Sequence, residues 1–271
     1  MLGKALAAGT VLGLSTVGLY KLMTARVFNR EDVVFDPPCF TSIVMCSLNE
    51  EFFIEKALQS LEDQNIRSKF PDKFELILVD SHSEDKTVDI AEDYGWTVYQ
   101  APRGKLTARD LGIKKAKGEV ILSVDADTSY GCNYANLMLE WFKQPDVVGV
   151  VAPRLVNPEE NLLATYLSVW MSLADVGPLL AGGMRAPGQS VAFYREAYFQ
   201  TGGFNLNINQ KDVHQMVRTE EIEFAWKLRR LGRVPVSWMS PCFTSLRRVM
   251  GVGKGEKYAQ WTRERLSGER F

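Results

Sequence analysis

Val120-Ile121-Leu122-Ser123-Val124-Asp125-Ala126-Asp127 joins an apolar, β-branched run to two carboxylates one residue apart. Such a run is the mark of a central parallel strand covered on both faces. Open α/β sheets take their ligands at the carboxyl ends of such strands. Asp125 and Asp127 therefore stand where hard oxygen donors would hold a magnesium or manganese ion against a diphosphate. Two acids closing a strand also suit a solvated turn or a helix cap, so the pair carries weight only in company.

The company lies upstream. Arg103-Gly104-Lys105 opens a helix that runs to Lys117, and Gly118 ends it before the Asp125 strand. A short strand is predicted at Trp96 to Tyr99. Before it, Phe74 to Val79 reads as a strand leading into Asp80-Ser81-His82-Ser83-Glu84-Asp85-Lys86-Thr87 and a helix through Val88, Ile90 and Ala91. Earlier still, Thr41 to Cys46 is followed by Ser47-Leu48-Asn49-Glu50 and an amphipathic helix carrying Phe53, Ala57, Leu58 and Leu61 on one face. Strands alternating with helices imply right-handed crossovers, a mostly parallel sheet and an α/β fold class. Three strand ends then meet on one edge: Ser47 to Glu50, Asp80 to Ser83, and Asp125 to Asp127. A nucleotide fits there, with Asp80 accepting from a base N–H, Ser47 and Asn49 near base or ribose, and Lys105 and Arg109 meeting the diphosphate. The competing reading is that polar residues after strands merely form turns and caps, and for Ser83 with Asp85 that reading has equal claim.

Composition narrows the classes. The chain has 271 residues, 46% of them apolar, and a net charge of −1, so a broad nucleic-acid surface is excluded and anion binding must be local. Cys39, Cys46, Cys132 and Cys242 form no Cys-x-x-Cys pair, and only His82 and His214 could join them, which argues against structural zinc and for reduced thiols. His214 reads as an exposed loop residue and is assigned no role. Ala5 to Tyr20 carries no charge and is flanked by Lys4, Lys21 and Arg26. We read 1–26 as a hydrophobic anchor, either spanning or lying in the membrane interface, in preference to a cleaved signal peptide or a soluble packing helix. The Pro37-Pro38 pair makes 27–40 a linker. Residues 41–248 form the main domain, divided into a nucleotide-binding half, 41–130, and an acceptor half, 131–248, with a helical tail over 249–271. Leu162 to Pro187 is apolar and is expected to be a core helix rather than one lying along a membrane. A loop through Gly182-Gly183-Met184 and Pro187 to Ser190, with the strand Val191 to Tyr194, would line the sugar and acceptor pocket. Trp170 and Trp238 are candidates for stacking on sugar rings, although tryptophans also fill cores.

Taken in order, these motifs resemble those of the family 2 glycosyltransferases. Ser47-Leu48-Asn49-Glu50 is similar to the family's opening turn, Val79-Asp80-Ser81-x-Ser83-x-Asp85-x-Thr87 to its base-binding loop, and Asp125-Ala126-Asp127 to its metal motif. Ala108-Arg109-Asp110-Leu111-Gly112 with Ala116-Lys117-Gly118 resembles its Ala-Arg-Asn-x-Gly stretch, with Asp110 in place of the usual Asn. Gly202-Gly203-Phe204, Thr219-Glu220-Glu221-Ile222-Glu223-Phe224 and Leu228-Arg229-Arg230-Leu231-Gly232 continue the likeness, which covers about Thr41 to Arg248.

The resemblance implies a GT-A fold and inverting transfer of a sugar from a nucleotide-diphosphate donor. It implies Mn2+ or Mg2+ held chiefly by Asp127, with Asp125 on ribose or on metal waters and Ala126 between them against the donor. Glu221 stands where the family has its catalytic base, with Glu220 as reserve; acids in a helix's first turn also have the plain explanation that they suit the helix dipole. Arg247 and Arg248 would close over the diphosphate or contact a lipid phosphate. UDP-sugars are the first expectation for the donor and GDP-mannose with a polyprenyl-phosphate acceptor the alternative. Glycan, protein and polyprenyl phosphate are all open as acceptors. Membrane lipid is expected as a partner, with the catalytic domain facing the cytosol. Two rivals stand: a nucleotidyltransferase, which would need a glycine-rich loop where Ser47 to Glu50 has none, and a nucleotide-sugar-binding membrane scaffold without turnover.

Overall fold

Thr41–Ser47, buried along its whole length, forms β1 at the centre of the molecule. It pairs in parallel with β2 (Phe74–Asp80) on one side and β4 (Val120–Asp125) on the other. A strand walled in on both sides and both faces favours apolar residues, which Ile43-Val44-Met45-Cys46 supply at its middle, with Thr41, Ser42 and Ser47 at its ends. The computed structural model describes residues 15–159, 161–180, 190–204, 206 and 220–245.

A first helix, α1, occupies 15–24. After β1 come α2 (Ile54–Glu62), α3 (Asn65–Lys69), β2, α4 (Thr87–Asp93), β3 (Thr97–Gln100), α5 (Lys105–Lys115) and β4. The second half adds β5 (Thr128–Tyr130), α6 (Tyr134–Leu139), β6 (Gly149–Val151), β7 (Arg154–Val156), α7 (Leu162–Leu180), β8 (Val191–Tyr194), α8 (Arg195–Gln200), α9 (Glu220–Arg229) and β9 (Cys242–Thr244). The main sheet runs in the order β3-β2-β1-β4-β8-β6; β3, β2, β1 and β4 are mutually parallel and β8 enters antiparallel. A smaller sheet has the order β5-β9-β7. The α/β expectation and the helix and strand positions upstream of Asp125 therefore hold.

One layer of core lies on each face of the large sheet. On one, α2 buries Ile54, Ala57, Leu58 and Leu61, the i, i+3, i+4, i+7 spacing of a single stripe; each fully buried Leu or Ile contributes about 1.5–3 kcal/mol. On the other, α5 lies close enough that a Cβ at Gly112 would collide with Val44 and come within 2.9 Å of Val79 Cγ2. Glycine there sets the helix-to-sheet distance.

The first segment departs from a free-standing anchor in the part that is described. Met23 and Val27 are buried, Tyr20 meets Tyr166 edge to face at 5.5 Å, and Trp170 Nε1 donates to Thr16 Oγ1 at 2.7 Å. Residues 1–14, most of the expected anchor, lie outside the described residues. Among those described, no helix is long and apolar enough to cross a membrane. Residues 27–40 form no helix or strand, and they are docked on the main domain: Asp32 accepts from Arg26 Nε at 2.8 Å and from Asn133 Nδ2 at 2.7 Å, and Asn136 Nδ2 donates to Val33 O.

Helix α7 is a core helix on one side only. It covers the edge of β7 and buries Thr165, Ser168, Val169 and Ser172. The cause is the unpaired backbone of an edge strand, which needs partners that hydroxyls supply: Val156 N donates to Ser168 Oγ at 2.9 Å and Ser172 Oγ donates to Arg154 O. Leu162, Leu163 and Leu167 are left on the outside.

Candidate active site

The parallel register brings three strand ends level. Ser47 pairs with Asp80 across β1 and β2, and Cys46 pairs with Asp125 across β1 and β4. Ser47 Oγ donates to Asp80 Oδ1 at 2.9 Å, Ser83 Oγ donates to the same oxygen at 2.5 Å, and Ser83 N donates to Asp80 Oδ2 at 2.8 Å. A carboxylate at a strand end, ringed by donors from both loops, is held in one orientation.

The two loops are also tied to each other. Asn49 N donates to Ser83 Oγ at 2.8 Å, and Glu84 N donates to Asn49 Oδ1 at 2.8 Å. Glu50 N donates to Thr87 Oγ1 at 2.8 Å and Glu51 N to Asp85 Oδ2 at 3.1 Å. Asn49 and His82 both take the left-handed conformation, with φ of 55° and 62°; Asn tolerates this region better than other side-chain-bearing residues. Ser83 and Asn49 thus act between the loops, as the turn-forming reading anticipates, while Asp80 stays at their focus.

Asp125 meets two cations. Lys105 and Arg109, one turn apart on α5, reach Oδ2 at 2.9 Å and Oδ1 at 3.0 Å. Arg109 is 1% exposed. The Asp125 backbone N–H donates to Tyr130 Oη at 3.0 Å, so this aspartate is fixed at main chain and side chain alike. Asp127, by contrast, lines a cavity of about 280 Å3 together with Phe52, Phe53, Lys56, Asn157 and Phe243. An adjoining cavity of about 370 Å3 shares Lys56, Ser129, Asn157, Glu159 and Phe243, and the Lys56–Glu159 ion pair stands between their walls. Ala126, between the two aspartates, belongs to the core. Among the described residues no three or more His, Cys, Asp and Glu side chains gather as a metal site. That donor set fits an ion that takes one protein carboxylate and completes its shell with phosphate oxygens and water.

The second half seats α9. Gly202 and Gly203 have φ of 75° and 65°, and a Cβ on Gly203 would come within 2.8 Å of the Tyr198 ring. Only glycine fits a left-handed turn so close to an aromatic wall. Tyr198, Phe204, Phe193 and Phe224 pack edge to face and stacked, with centroids 5.0 to 6.1 Å apart. Burial pushes the Tyr198 hydroxyl's pKa up, and it donates to Asp110 Oδ1 at 2.8 Å while accepting from Phe204 N. Lys114 Nζ holds the other Asp110 oxygen at 2.7 Å. Asp110, the departure from the familiar Asn, therefore links α5 to the turn that leads toward α9.

Glu220 and Glu221 open α9; their side chains, His214, and Arg247 and Arg248 lie outside the described residues. Ser245 N donates to Asp127 O at 3.1 Å, bringing the last described residue to the aspartate's backbone. Lys56, Asn157, Glu159 and Phe243 escaped the sequence reading, because no local pattern links residues so far apart. Trp238 packs against the core, and Trp170 belongs to the α1–α7 contact.

Comparison with known proteins gives a consistent picture. The model of the glycosyl transferase family 2 matches residues 42–210. Poly-beta-1,6-N-acetyl-D-glucosamine synthase of Staphylococcus aureus is 24% identical over 245 residues, covering 86% of this chain and 56% of the relative. The chain thus spans about half the length of the curated relatives it matches. A mannosyltransferase of Pyrobaculum calidifontis, solved with GDP-Man and Mn2+, superposes with a TM-score of 0.58 at 21% identity, over 89% of this chain and 68% of that one. Glucosyl-3-phosphoglycerate synthase of Mycobacterium tuberculosis, solved with Mn2+ and UDP-glucose, gives 0.51 at 21% identity, over 73% and 69%. At such identities the likeness is one of fold.

Proposed function

The chain belongs to glycosyl transferase family 2 and has a GT-A-like α/β fold, and from that premise we propose that it is an inverting glycosyltransferase using a nucleotide-diphosphate sugar. A UDP-sugar is the first choice of donor and GDP-mannose the second; the two solved neighbours carry one of each. The acceptor is a hydroxyl or a lipid phosphate.

The observation that carries this reading is the division of labour at the strand ends. Asp80, focused by Ser47 and Ser83, offers a carboxylate to a base N–H. Lys105 and Arg109 form a cationic wall that Asp125 holds in place, ready for phosphate or ribose. Asp127, facing the cavity, would hold Mn2+ or Mg2+ with Asp125 close by. A bound divalent ion supplies Lewis-acid neutralisation of charge on the departing diphosphate. Glu221, with Glu220 in reserve at the start of α9, takes the acceptor proton. One carboxylate base and no protein nucleophile gives displacement with inversion. Arg247 and Arg248 come two and three residues after Ser245, whose backbone N–H donates to Asp127 O, and this nearness in sequence favours them as partners of the diphosphate.

The test is incubation of the purified chain with Mn2+ and a panel of nucleotide sugars, following release of nucleoside diphosphate. Release with one donor class, lost on chelation, supports the proposal. Neither release nor thermal stabilisation by any donor would leave a scaffold that keeps the fold without turnover.

A further inference from the structure

Helix α7 is built inside out. Its hydroxyl face is buried against β7, whereas Leu163, Leu167, Leu162 and Trp170 are 69%, 56%, 52% and 41% exposed. These residues fall at i, i+4 and i+7 or i+8, one stripe along the helix. No charged residue occurs between Glu160 and Asp175. We propose that this stripe, with the adjoining surface of α1, rests on a lipid bilayer.

Three observations choose lipid over other occupants. The stripe is continuous with α1 through the Thr16–Trp170 and Tyr20–Tyr166 contacts. The sequence just before α1, from Ala5 on, carries no charge, so the chain that enters this face is apolar in composition. Alongside, α1 exposes Leu22 next to Lys21, the pairing of apolar contact with a cation that suits an interface rather than a dry protein groove. A helix lying in the interface needs a polar face turned to protein or water and an apolar face turned to acyl chains; α7 has both, and does not need the length to span. Asn157 and Glu159, just upstream of α7, line the cavities beside Asp127, so a bilayer under this face brings lipid headgroups to the cavity's neighbourhood. The inference is independent of the transfer reaction.

The test uses the full chain with Leu163→Cys on a Cys132→Ser background, labelled with an environment-sensitive fluorophore; Cys39, Cys46 and Cys242 are buried. The labelled protein is mixed with vesicles of phosphatidylcholine and phosphatidylglycerol whose acyl chains carry a nitroxide near the headgroup. The expected result is a blue shift on adding vesicles and loss of roughly half the emission to the nitroxide, with no loss for the same label at Glu92→Cys on exposed α4 surface. Vesicle-bound protein whose probe at 163 stays unquenched would assign binding to residues 1–14 and overturn the proposal. A blue shift without vesicles would overturn it too, pointing to a second copy if it grows with concentration and to the chain's own segment if it does not.

Discussion

At the scale of single residues, the two aspartates of one short motif have different work. Asp125 balances Arg109, which is almost wholly buried. Removing one partner of such a pair strands the other charge and costs about 3 kcal/mol or more. Asp125→Asn is therefore expected to lower Tm by roughly 6–10 °C. Asp127→Asn is expected to move Tm far less and to abolish the extra stabilisation that Mn2+ and nucleoside diphosphate give together. Thermal melts of the two variants, with and without ligand, separate the roles. Similar Tm losses in both would mean that Asp127 too serves the fold. For the base, Glu221→Gln is expected to reduce kcat by about 10^2–10^4 with donor affinity unchanged, and Glu220→Gln by much less; single-turnover rates on the two variants decide between them.

At the scale of elements, close contacts set the register. Gly112→Ala forces a methyl between α5 and β1 and should destabilise by about 1–3 kcal/mol without touching any ligand group, which chemical denaturation would measure as a lower midpoint with an unchanged slope. Ser83→Ala removes the hydroxyl that joins Asp80 to Asn49; a loss of about 1 kcal/mol and a raised donor KM are expected. The linker answers to pH. Burial pulls the Asp32 carboxyl upward, but hydrogen bonds from Arg26, Val33 N and Asn133 outweigh it and hold its pKa below the ordinary 3.8. A depressed carboxylate stabilises above its unfolded value and loses that contribution as pH falls through its folded one. The stability gap between the native chain and Asp32→Asn should thus be constant above about pH 5 and shrink toward lower pH. Much of this level was legible in advance. The alternation of apolar runs with helical stripes announced β1, β2, β4 and the helices between them, because a doubly covered parallel strand admits few residue types. The polarity of α7 was not legible: its apolar count suits a core, and only the edge of β7, left open when that strand pairs with the distant β9, turns its hydroxyls inward.

At the scale of the whole molecule, the site lies where the large and small sheets join, since Asp127 follows β4 and precedes β5. Nucleotide and metal bound there should raise the stability of both sheets together, by about 2.7 kcal/mol at a hundredfold excess over Kd. Differential scanning calorimetry would show one transition shifting upward; a ligand shift in only part of a split transition would place binding on one sheet alone. The motifs at Asp80 and Asp125 pointed to this edge from sequence because each closes an apolar strand run. The cavity wall of Lys56, Asn157, Glu159 and Phe243 became visible only through folding, since it is drawn from α2, the β7–α7 connection and β9. The junction also carries its own pair of clocks. Cys46 lies in β1 and Cys242 in β9, one in each sheet, and burial raises both thiols to a pKa of about 11. Neither reacts with an alkylating reagent until its own sheet opens. Timed alkylation followed by peptide mass measurement would therefore read two opening rates from one unmodified sample, and equal rates would mean that the halves come apart as one cooperative unit.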